Sequence, residues 1–187
     1  MRLRAREAAS TVILEAAEEV ASQRGLEATS TAAIAERAGV AVGTLYNYFP
    51  DRDALIAALF KLRRDEMVPR IAAAAEETRM LPFEPRLRAY LGGVTRAFDA
   101  FRRFVRVAIS ADGAARVPAK QTIVMDTVVA ELVQILRSVT PKSAEEYARM
   151  IFGSLRALVH WRLERDEPLE PVAGLVVDTF LQGVAGR

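Results

Sequence analysis

Apolar positions recur every three to four residues along almost the whole chain, which is the spacing expected for α-helices. The first such segment runs from about Arg4 to Arg24 and carries one apolar face, and Gly25 is a natural left-handed stop after it. Alternation with a period of two and Asn-Gly hairpin turns, the signals of β-strands, are missing. The pattern therefore predicts an all-α fold of about nine helices.

Prolines and small polar clusters divide the rest of the chain into further helices. Two short helices are predicted at residues 31–38 and 42–48, and a long one begins near Arg52. Pro69 lies inside the apolar pattern of that long helix and is expected to end or kink it. Further helices are predicted at about residues 85–100, 118–138, 143–165 and 170–184.

The two short helices are joined by a turn that contains Gly39, and this arrangement predicts a helix-turn-helix at about residues 29–49. In such a motif the first helix crosses the DNA backbone, while the second places side chains in the major groove. Thr29, Ser30 and Thr31 supply hydroxyls that can cap the first of the two helices. The side chains of the second helix that we expect to face DNA are Thr44, Tyr46, Asn47 and Tyr48.

Two features near this motif also allow a purely structural interpretation. Tyr46 and Tyr48 could be core aromatics that close the second helix instead of DNA contacts. The basic tip formed by Arg2, Arg4 and Arg6 is either a solvated chain end or an arm that reaches phosphate or the minor groove. The sequence pattern is compatible with both interpretations of each feature.

Composition excludes several classes of protein. The 187 residues contain no cysteine and a single histidine, His160, which rules out disulfides, a cysteine nucleophile and metal sites built on several His or Cys ligands. His160 lies in a predicted helix with no Ser-His-Asp arrangement around it, so neither an enzyme nor a cofactor is indicated. The formal net charge is +2, and residues 1–65 carry nine basic and nine acidic side chains, so bulk charge does not argue for DNA binding.

The chain shows no sign of a targeting or membrane-spanning segment. Residues 1–6 lead directly into a charged amphipathic stretch that lacks the apolar core of a signal peptide. No apolar run reaches the roughly 18–20 residues that cross a bilayer. We therefore expect a cytoplasmic protein without a membrane partner.

Several separately placed features around the predicted motif agree in order and spacing with a known family. They are GLEATST at residues 25–31, Ile34-Ala35, AGV at 38–40, GTLYNYF at 43–49 and RDAL at 52–55. Over about residues 10–58 the chain resembles the TetR/AcrR family of regulators. The resemblance implies an Ω-shaped homodimer with N-terminal DNA-binding heads, and C-terminal bodies that hold a ligand pocket and a dimer seam made by the last two helices.

The resemblance also implies roles for individual residues. Thr31 would begin the bracing helix beside a phosphate, Asn47 would lie close to base edges, and Arg52 would hold phosphate at the head of the next helix. Ala41 stands where the family commonly has a capping Ser or Thr, and Val42 where it often has Lys, and both differences bear on which operator sequence is bound. The residues expected to contact DNA are Thr29, Ser30, Thr31, Ala41, Val42, Gly43, Thr44, Tyr46, Asn47, Tyr48 and Arg52.

The C-terminal part supplies candidates for the other two roles. The residues expected to line an effector site are Tyr90, Phe98, Phe101, Gln121, Met125, Phe152 and Arg156. The residues expected to form the dimer seam are Ile151, Leu155, Leu158, Leu175, Val176 and Phe180.

Together these features predict two domains. Residues 1–52 form a helix-turn-helix domain, followed by a connecting helix to about residue 68, and residues 53–187 form a helical effector-binding and dimerisation domain. The predicted function is a ligand-responsive transcriptional repressor that binds a palindromic DNA operator as a homodimer and is released by a small apolar or amphipathic effector. The alternative is a helical small-molecule-binding or adaptor protein with a vestigial helix-turn-helix.

Overall fold

The computed structural model describes residues 2–110 and 123–185, with side chains at Arg6 and from residue 8 to residue 182 of those ranges. Every regular element in this part of the chain is an α-helix, which confirms the predicted all-α class. The helices, numbered in chain order, are α1 (Arg2–Arg24), α2 (Thr31–Ala38), α3 (Val42–Tyr46), α4 (Arg52–Thr78), α5 (Phe83–Ala100), α6 (Arg102–Ile109), α7 (Ile123–Leu136), α8 (Ala144–Glu164) and α9 (Glu170–Ala185).

Local capping signals set the bounds of the N-terminal helices. The Ser30 hydroxyl accepts a hydrogen bond from the backbone N–H of Ala33 at 3.1 Å and so caps α2. Gly39 ends α2 with a φ of 69°, a left-handed conformation that glycine adopts without steric cost. The Asp51 carboxylate accepts a hydrogen bond from the N–H of Ala54 at 2.7 Å at the start of α4. These caps fix both ends of α2 and the entry into α4.

The described chain divides into two compact units. Unit 1 contains residues 2–63 and 103–110, which are α1 to α3, the first part of α4 and most of α6. Unit 2 contains residues 64–102 and 123–185. The division therefore falls inside α4, and the domain boundary near residue 52 remains a prediction.

The core of unit 1 holds the three N-terminal helices together. α1 packs against α2, and α2 packs against α3. Phe60 of α4 meets Phe104 of α6 in an edge-to-face pair with ring centroids 5.0 Å apart, an arrangement that aromatic rings favour. The side chains of this unit that are almost completely buried include Ile13, Ala17, Leu26, Ile34, Leu45, Leu55 and Leu59.

Unit 2 is a bundle in which α5 contacts α7 and α9, α8 contacts α7, and α9 contacts α8. Gly93 of α5 lies against Ala74 of α4 so closely that a methyl group at Gly93 would overlap the Ala74 side chain. A glycine at this position therefore permits the close approach of the two helices. The large buried side chains of unit 2 include Met67, Ile71, Leu87, Tyr90, Leu91 and Leu132.

Pro69 was expected to end or kink the long helix, and it does not end it, because α4 continues from Arg52 to Thr78 with Pro69 inside it. A proline inside a helix removes one backbone hydrogen bond and costs about 3 kcal/mol. Met67 and Ile71 flank the proline and are both buried, so apolar packing on this face offsets the local cost.

α6 was absent from the predicted helices. It has only eight residues, and three arginines interrupt its apolar positions, which leaves too short a pattern for a periodicity argument. The three buried side chains Phe104, Val105 and Val107 stabilise it within the tertiary structure. The helix predicted at 118–138 is described from Ile123 to Leu136, and residues 118–122 lie outside the described part.

Candidate nucleic-acid interface

The short helix α3 is anchored by one side chain on its inner face. Leu45 is 0% exposed, and the following Phe49 is also buried. Backbone hydrogen bonds from Tyr48 and Phe49 to the Leu45 carbonyl continue the chain out of the helix. Since a five-residue helix is not stable by itself, this buried leucine positions α3 against α2.

The opposite face of α3 is open to solvent. Val42, Gly43, Tyr46 and Asn47 are exposed, and Thr44 is partly exposed. A Cβ added at Gly43 would meet no atom within 4 Å, so the backbone at this point is accessible to a large partner. The structure therefore brings these candidate DNA contacts together on one surface.

A polar contact joins this surface to the start of α2. The hydroxyl oxygens of Thr31 and Tyr46 lie 3.4 Å apart, and both side chains reach solvent. The neighbouring Ser30 is exposed as well, although its hydroxyl accepts the capping hydrogen bond of α2. Thr31, Tyr46 and Ser30 thus form a hydroxyl-rich edge beside α3, suited to donate hydrogen bonds to phosphate oxygens.

The segment that forms the exposed face of α3 has no charged side chains. Residues 38–50 contain no Asp, Glu, Lys or Arg. The absence of carboxylates removes a source of repulsion toward a polyanion, but it also means that any attraction to phosphate must come from flanking residues. Arg37, just before this segment, is engaged in an ion pair with Glu19.

Arg6 of α1 is placed at the C-terminal end of α3. Its guanidinium donates a hydrogen bond to the Asn47 carbonyl at 3.3 Å, and its central carbon lies 5.9 Å from the centre of the Tyr48 ring. The latter distance is within the range of a cation–π contact. Arg2 and Arg4, the other members of the predicted basic tip, have side chains outside the described part of the structure.

Two expected DNA contacts have other roles in the structure. Thr29 is buried, and its hydroxyl donates to the Gly25 carbonyl at 2.7 Å, so it stabilises the α1–α2 loop. Arg52 donates from Nε to the Thr29 carbonyl at 2.6 Å and from a terminal nitrogen to the Leu26 carbonyl. The loop leaves these carbonyls outside any helix, and the guanidinium satisfies them instead of facing outward.

Ala41 occupies the N-cap position of α3 with extended backbone angles, φ −69° and ψ 147°, and no side chain caps the helix. The sequence correctly identified the missing cap. The backbone N–H groups in the first turn of α3 therefore receive no hydrogen bond from an N-cap side chain.

The candidate effector residues fall into different environments. Tyr90 is fully buried, and its hydroxyl has no hydrogen-bond partner among the described residues. Burial raises the pKa of Tyr90 well above its usual value, and the negative charge of Glu131 adds to this effect. Phe98 is buried. Phe101 lies under the Arg70 guanidinium, whose central carbon is 5.2 Å from the centre of the Phe101 ring.

Other effector candidates lie nearer the surface. Met125 borders a groove of about 300 Å³ between α7 and α8. Phe152 is half-buried, and Arg156 is exposed, which removes Arg156 from any interior pocket wall. Gln121 lies outside the described residues.

The predicted dimer seam needs a correction. Ile151, Leu155 and Val176 are buried in the interior of unit 2, because they lie on the faces of α8 and α9 that pack inside the bundle. Leu175 is exposed, and Leu158 and Phe180 are half-buried. Phe180 makes an edge-to-face contact with Tyr147 at 5.6 Å.

The exposed apolar residues of α8 are Met150 and Trp161, which were not among the predicted seam residues. Gly153 and Ala157 lie between them and are also exposed, which gives a stripe with helical spacing along one face. This spacing is visible in the sequence. The seam predicted from the sequence used the more apolar face of α8, which the structure places in the core.

In the described part of the chain, no helix combines the length and apolar character needed to cross a membrane. Three or more acidic or histidine side chains do not come together there as a set of metal ligands.

Comparison with known proteins agrees with this arrangement. Residues 13–59 match the family model of bacterial regulatory proteins of the tetR family. The HTH-type transcriptional repressor KstR of Mycobacterium tuberculosis is 42% identical over 90 residues, which cover 46% of this chain and 39% of KstR. The chain thus matches about two fifths of the length of this curated relative.

Solved structures are similar over almost the whole chain. A TetR-like transcriptional regulator from Rhodococcus sp. RHA1 is similar with a TM-score of 0.80 at 27% identity, covering 96% of this chain and 97% of that one. The regulator FadR from Bacillus subtilis, solved in complex with stearoyl-CoA, has the same fold with a TM-score of 0.70 at 20% identity, covering 90% and 95% of the two chains. Residues 13–59 therefore carry a helix-turn-helix of the tetR type, and the described chain shares its fold with a TetR-like transcriptional regulator.

Proposed function

We propose that this protein is a ligand-responsive transcriptional repressor that binds a palindromic operator as a homodimer through α2 and α3. A small apolar or amphipathic effector bound by unit 2 releases it from DNA. The observation that carries the proposal is the exposed, uncharged face of α3, held in place by the buried Leu45. A protein of this kind acts where the DNA is, in the cytoplasm.

The DNA-binding part of the proposal rests on which side chains the α3 face offers. Thr44, Asn47 and the exposed Tyr46 can donate and accept hydrogen bonds, and Val42 offers an apolar contact for a thymine methyl group. The amide of Asn47 is suited to base edges, because it presents a donor and an acceptor together.

The homodimer rests on the outer surface of α8 and α9. Trp161, Met150 and Leu175 are each about half exposed, an unusual amount of large apolar surface on two neighbouring helices. Gly153 and Gly174 have open space around them, so a second copy of the chain could approach both helices closely. The two copies would then present their α3 helices to successive major grooves, roughly one helical turn apart.

A sedimentation experiment tests this surface. Trp161→Glu and Leu175→Glu should convert a dimer into a monomer, because each places a charge in an apolar contact. Met80→Glu is the control, since Met80 is 92% exposed in the turn after α4 and lies outside the proposed seam. A monomeric wild-type protein, or variants that remain dimeric, would contradict the proposed interface.

The effector part of the proposal rests on unit 2. Its interior includes the buried Phe98 and the Tyr90 hydroxyl, which has no hydrogen-bond partner among the described residues and could orient a bound molecule. The structural neighbour FadR was solved with stearoyl-CoA, an amphipathic ligand, which supports a ligand of that general type for this fold. Release requires that the effector bind one conformation more tightly than the other, typically by about 1–3 kcal/mol.

The test of DNA recognition compares a duplex selected by the protein with a scrambled duplex of equal length. Asn47→Ala should weaken binding to the selected duplex by about 1–3 kcal/mol and leave the scrambled duplex unchanged. Gln23→Ala is the matched control, because it removes another exposed amide at the far end of α1. Binding that ignores both DNA sequence and salt would favour the adaptor alternative.

A further inference from the structure

The residues nearest the exposed face of α3 provide little positive charge for binding phosphate. Affinity for DNA comes largely from cations that neutralise phosphates. Residues 38–50 supply none, Arg37 is paired with Glu19, and Arg52 is turned toward the carbonyls of Leu26 and Thr29. A further cation beside the α3 surface, without a carboxylate partner among the described residues, would therefore strengthen its attraction to phosphate.

Arg6 is a cation that the fold brings to this surface. It lies 41 residues before Asn47 in sequence, yet its guanidinium contacts the Asn47 carbonyl and lies over the Tyr48 ring. Arg6 is exposed, so its positive charge stays accessible to a partner. A guanidinium has five N–H donors, and the two contacts that Arg6 makes with described residues leave several of them for phosphate oxygens.

We propose that Arg6 is a DNA-backbone contact that extends the recognition surface from α3 onto the first turns of α1. The contacts with Asn47 and Tyr48 position the guanidinium beside the C-terminal end of α3. Its partner is a phosphodiester group, because a contact to the sugar-phosphate backbone needs charge and carries no sequence information. This inference rests on the proposed DNA-binding function and adds a residue to it.

The test is the salt dependence of binding to duplex DNA. For each phosphate contact that is lost, the slope of log K against log salt falls by about 0.9. Arg6→Gln keeps a hydrogen-bond donor but removes the charge, so its slope should fall by about one and its affinity at low salt should fall several-fold. Arg6→Lys keeps the charge and should retain most of the slope.

Arg24→Ala is the matched control, because it removes the same charge from an exposed position at the other end of α1. Its slope should equal that of the wild type. If Arg6→Gln has the same slope as Arg24→Ala while the wild type binds DNA, Arg6 only braces α3, and the inference fails alone. If the wild type shows no salt-dependent binding to any duplex, the inference and the proposed function fail together.

Discussion

The Nε atom of Arg52 donates a hydrogen bond to the backbone carbonyl of Thr29 at 2.6 Å. A terminal nitrogen of the same guanidinium donates to the Leu26 carbonyl, so one side chain joins the start of α4 to the loop between α1 and α2. This loop leads directly to Ser30, which caps α2. Arg52 therefore positions the helix-turn-helix from within, a role that differs from the phosphate contact expected from the sequence.

Replacing Arg52 should thus lower the free energy of unfolding and have little effect on the salt dependence of DNA binding. Arg52→Ala removes the side-chain donor to the Thr29 carbonyl and one of the two donors to the Leu26 carbonyl, and it should lower the free energy of unfolding by about 1–3 kcal/mol. Arg52→Lys should recover only part of this loss, because an ammonium group lacks the planar geometry that bridges two acceptors. Urea unfolding of the three proteins gives these values.

The same variants distinguish the two roles of Arg52. If Arg52 held a phosphate, Arg52→Ala would lower the salt slope of DNA binding by about one and leave the unfolding free energy unchanged. That combination would contradict the role that we assign to this side chain.

Ala41→Ser should stabilise the protein by supplying the missing cap of α3. The backbone at this position is already extended, as an N-cap residue requires, so the serine hydroxyl can accept from the first turn without rearrangement. We expect a gain of about 0.5–1 kcal/mol in thermal or urea unfolding. Ser30→Ala is the reciprocal variant and should cost a similar amount at α2. A neutral or destabilising Ala41→Ser would mean that α3 begins elsewhere.

Substitutions at Glu18 and Arg63, which form a largely buried ion pair, should have strongly non-additive effects on the free energy of unfolding. The carboxylate accepts a hydrogen bond from Arg63 Nε at 2.5 Å, and both side chains are largely buried within unit 1. Glu18→Leu removes the carboxylate beside a largely buried guanidinium and should cost about 3 kcal/mol or more. The double variant Glu18→Leu with Arg63→Met should cost less than either single change, since it removes both charges. Additive losses in a double-mutant cycle would show that the pair contributes no coupling.

Tyr90→Phe should change the alkaline stability of the protein. The pKa of Tyr90 is higher in the folded protein than in the unfolded chain, so above about pH 10 the unfolded chain binds fewer protons than the folded one. The wild type must therefore lose stability as the pH rises through that point, and Tyr90→Phe should lose less. At neutral pH the variant should be as stable as the wild type or slightly more so, because the removed hydroxyl has no partner in the described structure. Identical pH profiles would contradict the burial of this hydroxyl.

The sequence predicted the elements that depend on local signals. Ser30 and Gly39 bound α2 in the structure where capping and turn rules placed them, and the absence of a cap at Ala41 was visible in the sequence. The all-α class and the tetR-type helix-turn-helix at the N-terminus were predicted on the same basis. Each of these predictions rests on residues close together in the chain.

What the sequence could not provide depends on tertiary packing. The continuation of α4 through Pro69 requires the buried neighbours Met67 and Ile71, and local propensity alone argues against it. The inward orientation of Arg52 depends on carbonyls more than twenty residues away. The exposure of Trp161 could not be derived from apolar spacing, because both faces of α8 carry apolar side chains.

Selection of bound duplexes from a random DNA pool tests the central claim most directly. A pair of α3 helices related by a twofold axis should enrich an inverted repeat, with half-site centres about one helical turn apart or slightly more. Enrichment of such a motif, lost in Asn47→Ala, is the result that the structure predicts. A pool that stays random, or a single unrepeated site bound by one chain, would contradict the account.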